Sequence, residues 1–292
     1  MRYFVSLLCI SLSLWAQEGW YPAINSFLAT SLDRLDMFLG DSNASTKPRY
    51  SIRTSLETAL ENGQSPLYRF NVKAKVTLPR TMKRLKLFLE DFRQKNSVDA
   101  VNARTPEESI NNNSYLLGLQ YDTKRALRLK AGMKFNGFDP FVGAEYRKAT
   151  TFWDVEVGYG ADFRYYARRH EDLSLFCNFS YPLASSWRVA FENSYRYQRK
   201  SDYNHQAVDG LRLYHTINDD TRDTWRFDTY LASDRQDNFH LDYYYLGYDF
   251  FKTFVKKRYF LQLSPAILWR YSRGFHRSFR FMLSVGVNFY KK

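Results

Sequence analysis

Few residues in this 292-residue chain could perform nucleophilic catalysis. A serine nucleophile needs a base within hydrogen-bond reach, and the base needs a third group to orient it. His276 and Ser278 have the i, i+2 spacing that places two side chains on one face of a strand, but no acidic partner is identifiable beside them. His205 is followed at the same spacing by Ala207, which has no hydroxyl group. The sequence therefore predicts no catalytic residue, and we expect no metal or cofactor, because paired-cysteine sites and glycine-rich phosphate loops are absent from it.

Basic residues are the second candidate for chemistry, because 43 Lys and Arg exceed 30 Asp and Glu and give a net charge of +13. Many of them alternate with apolar residues. If these segments enclose a lumen, its basic wall would lower the energy of anions and form an anion path. The candidates for this path are Arg69, Lys73, Lys75, Arg128, Lys130, Lys134, Arg188, Arg212, Arg226 and Arg280. The alternative is a lumen closed by cross-strand ion pairs with carboxylates such as Glu145 and Asp228, which would transport nothing.

Alternation of apolar and polar residues predicts the elements that position these side chains. From residue 49 almost to the C-terminus the period is two residues, as in a strand with one apolar face. In the segment 277–290, Phe279 and Val285 belong to the apolar face, whereas Arg280 and Ser284 belong to the polar face. Segments of about ten such residues, separated by turns, are typical of transmembrane β-barrels. We predict an all-β, antiparallel transmembrane β-barrel of about 14 strands, with 12 as the second choice.

A soluble β-sandwich also alternates, so other features must decide between the two folds. The predicted strands run for about 9–13 residues, which is longer than most soluble strands. Tyr and Trp often begin or end the apolar faces, as Tyr50, Trp153 and Trp269 do, which suits the aromatic girdles of a barrel. A mean hydropathy of −0.52 excludes a bundle of transmembrane helices. These features favour the membrane barrel.

The N-terminal region predicts export. Arg2 precedes an apolar run of about a dozen residues, and Ala16 stands at the expected cleavage site, as in a secretory signal peptide. Residues 20–41 have helical spacing, with Asp33, Arg34 and Asp36 opposite the apolar positions. The predicted organisation is a signal peptide at 1–16, a periplasmic amphipathic helix with a polar linker at 17–48, and a β-barrel at 49–292.

Several segments carry a family resemblance. The stretches are RLDMFLGD (34–41), RYSIRTSL (49–56), LYRFNVKAKVTLPRTMKRLKLFLE (67–90) and YFLQLSPAILW (259–269), followed by the 277–290 strand. Together they resemble a family of uncharacterised exported proteins of Gram-negative bacteria that look like outer-membrane β-barrels. The resemblance implies the barrel fold but no catalytic residue and no substrate. The chain departs from a usual barrel-assembly signal because Tyr290, Lys291 and Lys292 follow Phe289.

The predicted function is that of an outer-membrane β-barrel, either channel-like or structural, with a net basic lumen that leans toward anions. The first alternative is a barrel enzyme that modifies lipid or lipopolysaccharide, and the second is a soluble periplasmic β-protein. The expected partners are outer-membrane lipid, lipopolysaccharide and the barrel-assembly machinery. No nucleic acid is expected, because the positive charge is dispersed over alternating positions of an exported chain. The sequence does not indicate an oligomeric state.

Overall fold

The computed structural model describes residues 20–39, 48–79, 85–91, 115–123, 126–135, 137–199, 205–233 and 239–291. The predicted signal peptide at 1–16 lies outside these residues. A helix, α1 (Trp20–Leu39), precedes fourteen strands. The strands are β1 (Arg49–Glu61), β2 (Leu67–Thr77), β3 (Leu85–Asp91), β4 (Tyr115–Asp122), β5 (Leu127–Lys134), β6 (Asp139–Phe152), β7 (Val155–Tyr166), β8 (His170–Pro182), β9 (Trp187–Gln198), β10 (His205–Asn218), β11 (Thr221–Ser233), β12 (Phe239–Phe254), β13 (Tyr259–Arg270) and β14 (Arg277–Lys291).

The strands form one closed antiparallel barrel. Each strand pairs with the next in the chain, and β1 closes the sheet by pairing with β14, with Leu56 opposite Val285. Closure leaves no sheet edge, so the ladder satisfies the backbone hydrogen bonds that a bilayer cannot. The predicted fold class is confirmed, with fourteen strands rather than twelve.

The two faces of the sheet differ as the alternation predicts. In β5, Leu129 is 46% exposed and its neighbour Lys130 is 3% exposed. In β11, Phe227 and Asp228 differ in the same way, at 44% and 1%. Apolar side chains therefore cover the outside, and charged side chains point into the lumen. Outer-membrane proteins of Gram-negative bacteria have an apolar outer surface around a closed barrel with an even number of strands. The predicted location in the outer membrane is therefore confirmed.

The lengths of the connections distinguish the two ends of the barrel. At one end the chain turns within two residues, at 153–154 and 219–220, and the longest connection, 92–114, belongs to the other end. Short turns are periplasmic in such barrels, and long loops are extracellular. Trp153 and Asp154 form a tight turn with φ angles of 46° and 64°. These two left-handed residues form the turn between one strand and the next, and they take no part in the ladder.

Helix α1 lies against the outer face of the barrel at its periplasmic end. The Tyr21 ring stacks on Phe289 at 5.2 Å, and its hydroxyl donates to the Asn288 carbonyl oxygen at 2.9 Å. Burial raises the pKa of Tyr21, so this hydroxyl stays protonated as a donor. Asp36, which the sequence analysis places opposite the apolar positions, is fully buried. Within the described ranges, no helix is long and apolar enough to cross a membrane.

Candidate functional site: the barrel lumen

All ten basic residues of the predicted anion path lie on the inward face of their strands. The register shows this, because Arg69 and Lys73 face Glu57 and Arg53 across the β1–β2 ladder, and Tyr68 and Phe70 lie on the exposed outer face. The ten differ in their access to water. Lys73, Lys75 and Arg188 are exposed, and Arg128 is intermediate. The buried members are Arg69, Lys130, Lys134, Arg212, Arg226 and Arg280.

The first cluster of buried charges spans β5, β6 and β7 and is centred on Lys130. The Lys130 ammonium group lies 3.0 Å from Asp162 Oδ2 and also pairs with Glu145. Arg128 Nη1 lies 3.1 Å from Glu145, and Arg164 Nε donates to Asp162 at 2.9 Å. Each carboxylate therefore contacts more than one cation. Charges on three neighbouring strands are neutralised across the ladder, as the ion-pair alternative expects.

A second cluster spans β9 to β12 and is centred on Asp228, which is 1% exposed. Asp228 pairs with Arg212 on one side, and on the other side Arg226 Nη2 lies 2.9 Å from its Oδ2. Arg226 also reaches Asp249 at 3.2 Å, and Arg212 Nε lies 3.8 Å from Glu192. The cluster links four neighbouring strands, none of which belongs to the Lys130 cluster.

A third cluster, at the extracellular end, gathers around Glu61. Arg270 pairs with both Glu61 oxygens, and Arg280 Nη2 lies 3.0 Å from Oε2. The Ser278 hydroxyl donates to Glu61 Oε1 at 2.7 Å. Among the described residues, Ser278 is therefore held by an ion cluster rather than by a histidine, and His276 is exposed at the rim. This arrangement does not favour Ser278 as a nucleophile.

Apolar and aromatic side chains pack against the inner wall toward the extracellular end. Tyr166 contacts Phe141 with ring centroids 5.3 Å apart, and Tyr243 stacks on Tyr230 at 4.7 Å. Tyr166, Tyr243 and Leu268 are at most 1% exposed. Inward glycines make room for some of the rings: a Cβ atom at Gly160 would lie 2.7 Å from the Phe176 ring. The lumen wall is therefore a packed core in this half of the barrel.

The periplasmic half of the lumen wall is exposed to water instead. We define the periplasmic vestibule by five inward cations that are all exposed: Arg53, Lys73, Lys75, Arg188 and Arg222. On the β7–β11 side the vestibule contains a cavity of about 520 Å³ lined by Glu156, Arg188 and Arg222 among others.

Two vestibule cations are held by aromatic rings. The Arg53 guanidinium lies 5.0 Å from the Phe260 ring centre, and that of Arg222 lies 4.6 Å from the Phe251 ring centre. Arg53 also donates to Asn288 Oδ1 at 2.8 Å. These contacts hold the guanidinium groups near the wall, and both residues stay exposed.

Some inward charged residues were not identified from the sequence. Arg270 and Asp172 were missed, although Asp172 accepts two hydrogen bonds from Arg196, at 2.9 and 2.6 Å. The parity of their strands would have placed both inside. Within the described part of the chain, no group of three or more His, Cys, Asp or Glu is arranged to hold a metal ion.

Comparisons with known proteins give structural likeness only. No family model matches the sequence, and no curated protein matches it. OccK11 (OpdR) of Pseudomonas aeruginosa is 10% identical, with a TM-score of 0.48 over 84% of this chain and 96% of that chain. A loop-deletion mutant of OmpT, an outer membrane protein of Vibrio cholerae, is 8% identical, with a TM-score of 0.46 over 83% and 99%. The KdgM porin is 8% identical, with a TM-score of 0.38 over 80% and 98%. The assignment as a membrane barrel rests on the chain's own closed sheet, not on these likenesses.

Proposed function

We propose that this protein is a channel-like outer-membrane barrel whose basic periplasmic vestibule selects anions, and whose path narrows toward the extracellular half. One observation carries the proposal: inward charges change from exposed to buried along single strands. In β2, Lys75 and Lys73 are exposed, whereas Asn71 and Arg69, further toward the extracellular end, are buried.

The same gradient occurs in strands that are far from β2 in the barrel. In β11, Arg222 is exposed and Arg226 is buried, and in β7, Glu156 is exposed and Asp162 is buried. A solute that enters the vestibule meets these exposed cations, one of which, Arg188, lies 3.8 Å from the exposed Glu156, before it reaches a layer whose charges are already neutralised. The vestibule therefore sets the sign of the selectivity, and the packed layer sets the size of the path.

The test is the reversal potential of the purified protein in planar bilayers under a salt gradient. Lys75→Glu replaces an exposed vestibule cation with an anion, so the anion/cation permeability ratio should fall. The fall should be larger at 0.01 M salt than at 0.1 M, because the Debye length shortens from about 30 Å to about 10 Å. Lys148→Glu is the matched control, since Lys148 is exposed near the same end of the barrel but points outward. It should change the ratio much less.

Two results would overturn the proposal. Equal effects of Lys75→Glu and Lys148→Glu would mean that the vestibule does not set the selectivity. A wild-type protein that is folded in several lipid mixtures but conducts no ions would support a structural role in the envelope instead.

A further inference from the structure

Helix α1 exposes large apolar side chains at the periplasmic rim. Phe38 is 85% exposed, Phe27 is 70% exposed and Ile24 is 41% exposed. At 100° per residue these three positions fall within one narrow strip of the helix surface. The barrel does not cover this strip. Exposure of this strip to water would cost free energy, because the apolar side chains of two phenylalanines would be hydrated.

The sides of the helix differ in what they contact. Tyr21, Leu28 and Leu32 face the barrel and belong to the cluster that includes Tyr50 and Phe289. The apolar strip lies next to this side, and Arg34 lies at the border of the strip. Ser26, Thr30 and Asp33, with Met37 among them, cover the remaining surface. An amphipathic helix that lies flat in a membrane interface has this division into an apolar and a polar side.

The residues beneath the helix belong to the lipid-facing surface of the barrel. Tyr50 pairs with Val76 in the β1–β2 ladder, and both alternate with inward residues such as Lys75. The Tyr50 hydroxyl donates to the Asn25 carbonyl oxygen at 2.9 Å. The exposed strip of α1 is therefore continuous with a surface that contacts lipid, at the height where the barrel ends.

A basic turn lies beside the helix. The Arg258 guanidinium is 4.5 Å from the centre of the Tyr21 ring. Lys256 and Lys257, in the same connection between β12 and β13, are exposed. Cations at this end of the barrel would be attracted to a leaflet that contains anionic phospholipid.

We propose that α1 and the turn 255–258 form a lipid-binding surface that rests in the periplasmic leaflet, with Phe27 and Phe38 among the acyl chains and Lys256 and Lys257 at the phosphates. The occupant is phospholipid with a share of anionic headgroups. This surface lies outside the lumen, so the proposal is independent of whether the barrel conducts.

The test places a nitroxide label at single cysteines in a Cys9→Ser, Cys177→Ser background. Phe27→Cys and Phe38→Cys report on the apolar strip, and Thr30→Cys is the matched control on the polar side. The full-length protein is folded into vesicles of phosphatidylethanolamine and phosphatidylglycerol, and folding is checked by heat-modifiable electrophoretic mobility. Collision rates are then measured with oxygen, which concentrates in lipid, and with a water-soluble nickel chelate. The oxygen-to-nickel ratio should be several-fold higher at positions 27 and 38 than at position 30.

Three other results would contradict all or part of the proposal. Equal ratios at the three positions would place the helix in water and overturn the proposal. Low collision rates with both reagents at positions 27 and 38 would show a protein occupant, such as a second copy of the chain, and would also overturn it. In the Phe27→Cys protein, Lys256→Gln with Lys257→Gln should lower the oxygen-to-nickel ratio, and it should weaken the dependence of that ratio on phosphatidylglycerol. An unchanged ratio would remove the basic turn from the proposed surface.

Discussion

Replacement of Glu61 by glutamine should destabilise the barrel by several kcal/mol. Glu61 is buried, and its two oxygens accept from Arg270, Arg280 and Ser278. Glutamine keeps the shape and one acceptor oxygen, so the variant removes mainly the charge. It leaves two guanidinium groups, both at least nine-tenths buried, without their counter-ion. Breaking a buried ion pair by removing one partner costs about 3–5 kcal/mol.

The measurement is urea unfolding of the barrel in lipid vesicles, followed by heat-modifiable electrophoretic mobility. With an m-value of about 3 kcal/mol per M, the midpoint should fall by about 1 M or more. Glu156→Gln is the matched control, because Glu156 pairs with Arg188 at 3.8 Å and both side chains are more than half exposed. An exposed pair of this kind contributes under about 1 kcal/mol. Similar midpoints for the two variants would refute the view that the Glu61 cluster is a buried structural unit.

Two further comparisons test the packing of the lumen and the orientation of the strands. Gly160→Ala should lower the free energy of unfolding by about 1–3 kcal/mol, because the added Cβ would overlap a backbone oxygen at 2.3 Å. Gly158→Ala should be nearly neutral, because a Cβ there would have no atom within 4 Å. Urea midpoints that do not separate the two variants would contradict the close packing at Gly160. Val285→Arg places a cation on the lipid face near the middle of β14 and should cost about 2–4 kcal/mol, whereas Trp153→Arg, at the periplasmic turn, should cost at most about 1 kcal/mol in the same assay. If Trp153→Arg were the more damaging variant, the assigned depth of the two residues would be wrong.

The barrel could be predicted from the sequence because each strand must present one face to lipid and one to the lumen. That requirement imposes the period of two along the whole sheet, so the number of strands could be counted from the alternating segments. The alternation does not define strand ends, because a turn can use residues that also suit a strand. Trp153 and Asp154 continue the alternation, but their left-handed φ angles place them in a turn.

The lumen could be predicted only in part. Parity places Ser284 inside, but it does not show that Ser284 is only 3% exposed. Parity also cannot show which inward cations meet carboxylates, because partners such as Arg270 and Glu61 are 209 residues apart in the chain. Only closure between β1 and β14 and the register of neighbouring strands bring such pairs together. The side of the barrel on which α1 packs was likewise inaccessible to sequence reasoning, since its apolar residues suit both the barrel and the lipid.

Lys130 shows why burial, and not parity alone, must decide where selectivity is tested. The sequence pattern treats Lys130 and Lys75 as equivalent members of a basic wall, and it implies that either could be changed to glutamate without harm to folding. In the structure the Lys130 ammonium group is buried between Glu145 and Asp162. Lys130→Glu would place three carboxylates together away from water, so we expect the barrel to fail to fold rather than to change its permeability. Lys75 is exposed in the vestibule, where the same substitution changes the field that a passing ion meets. The inward basic residues thus divide into those that hold the wall together and those that can act on a solute.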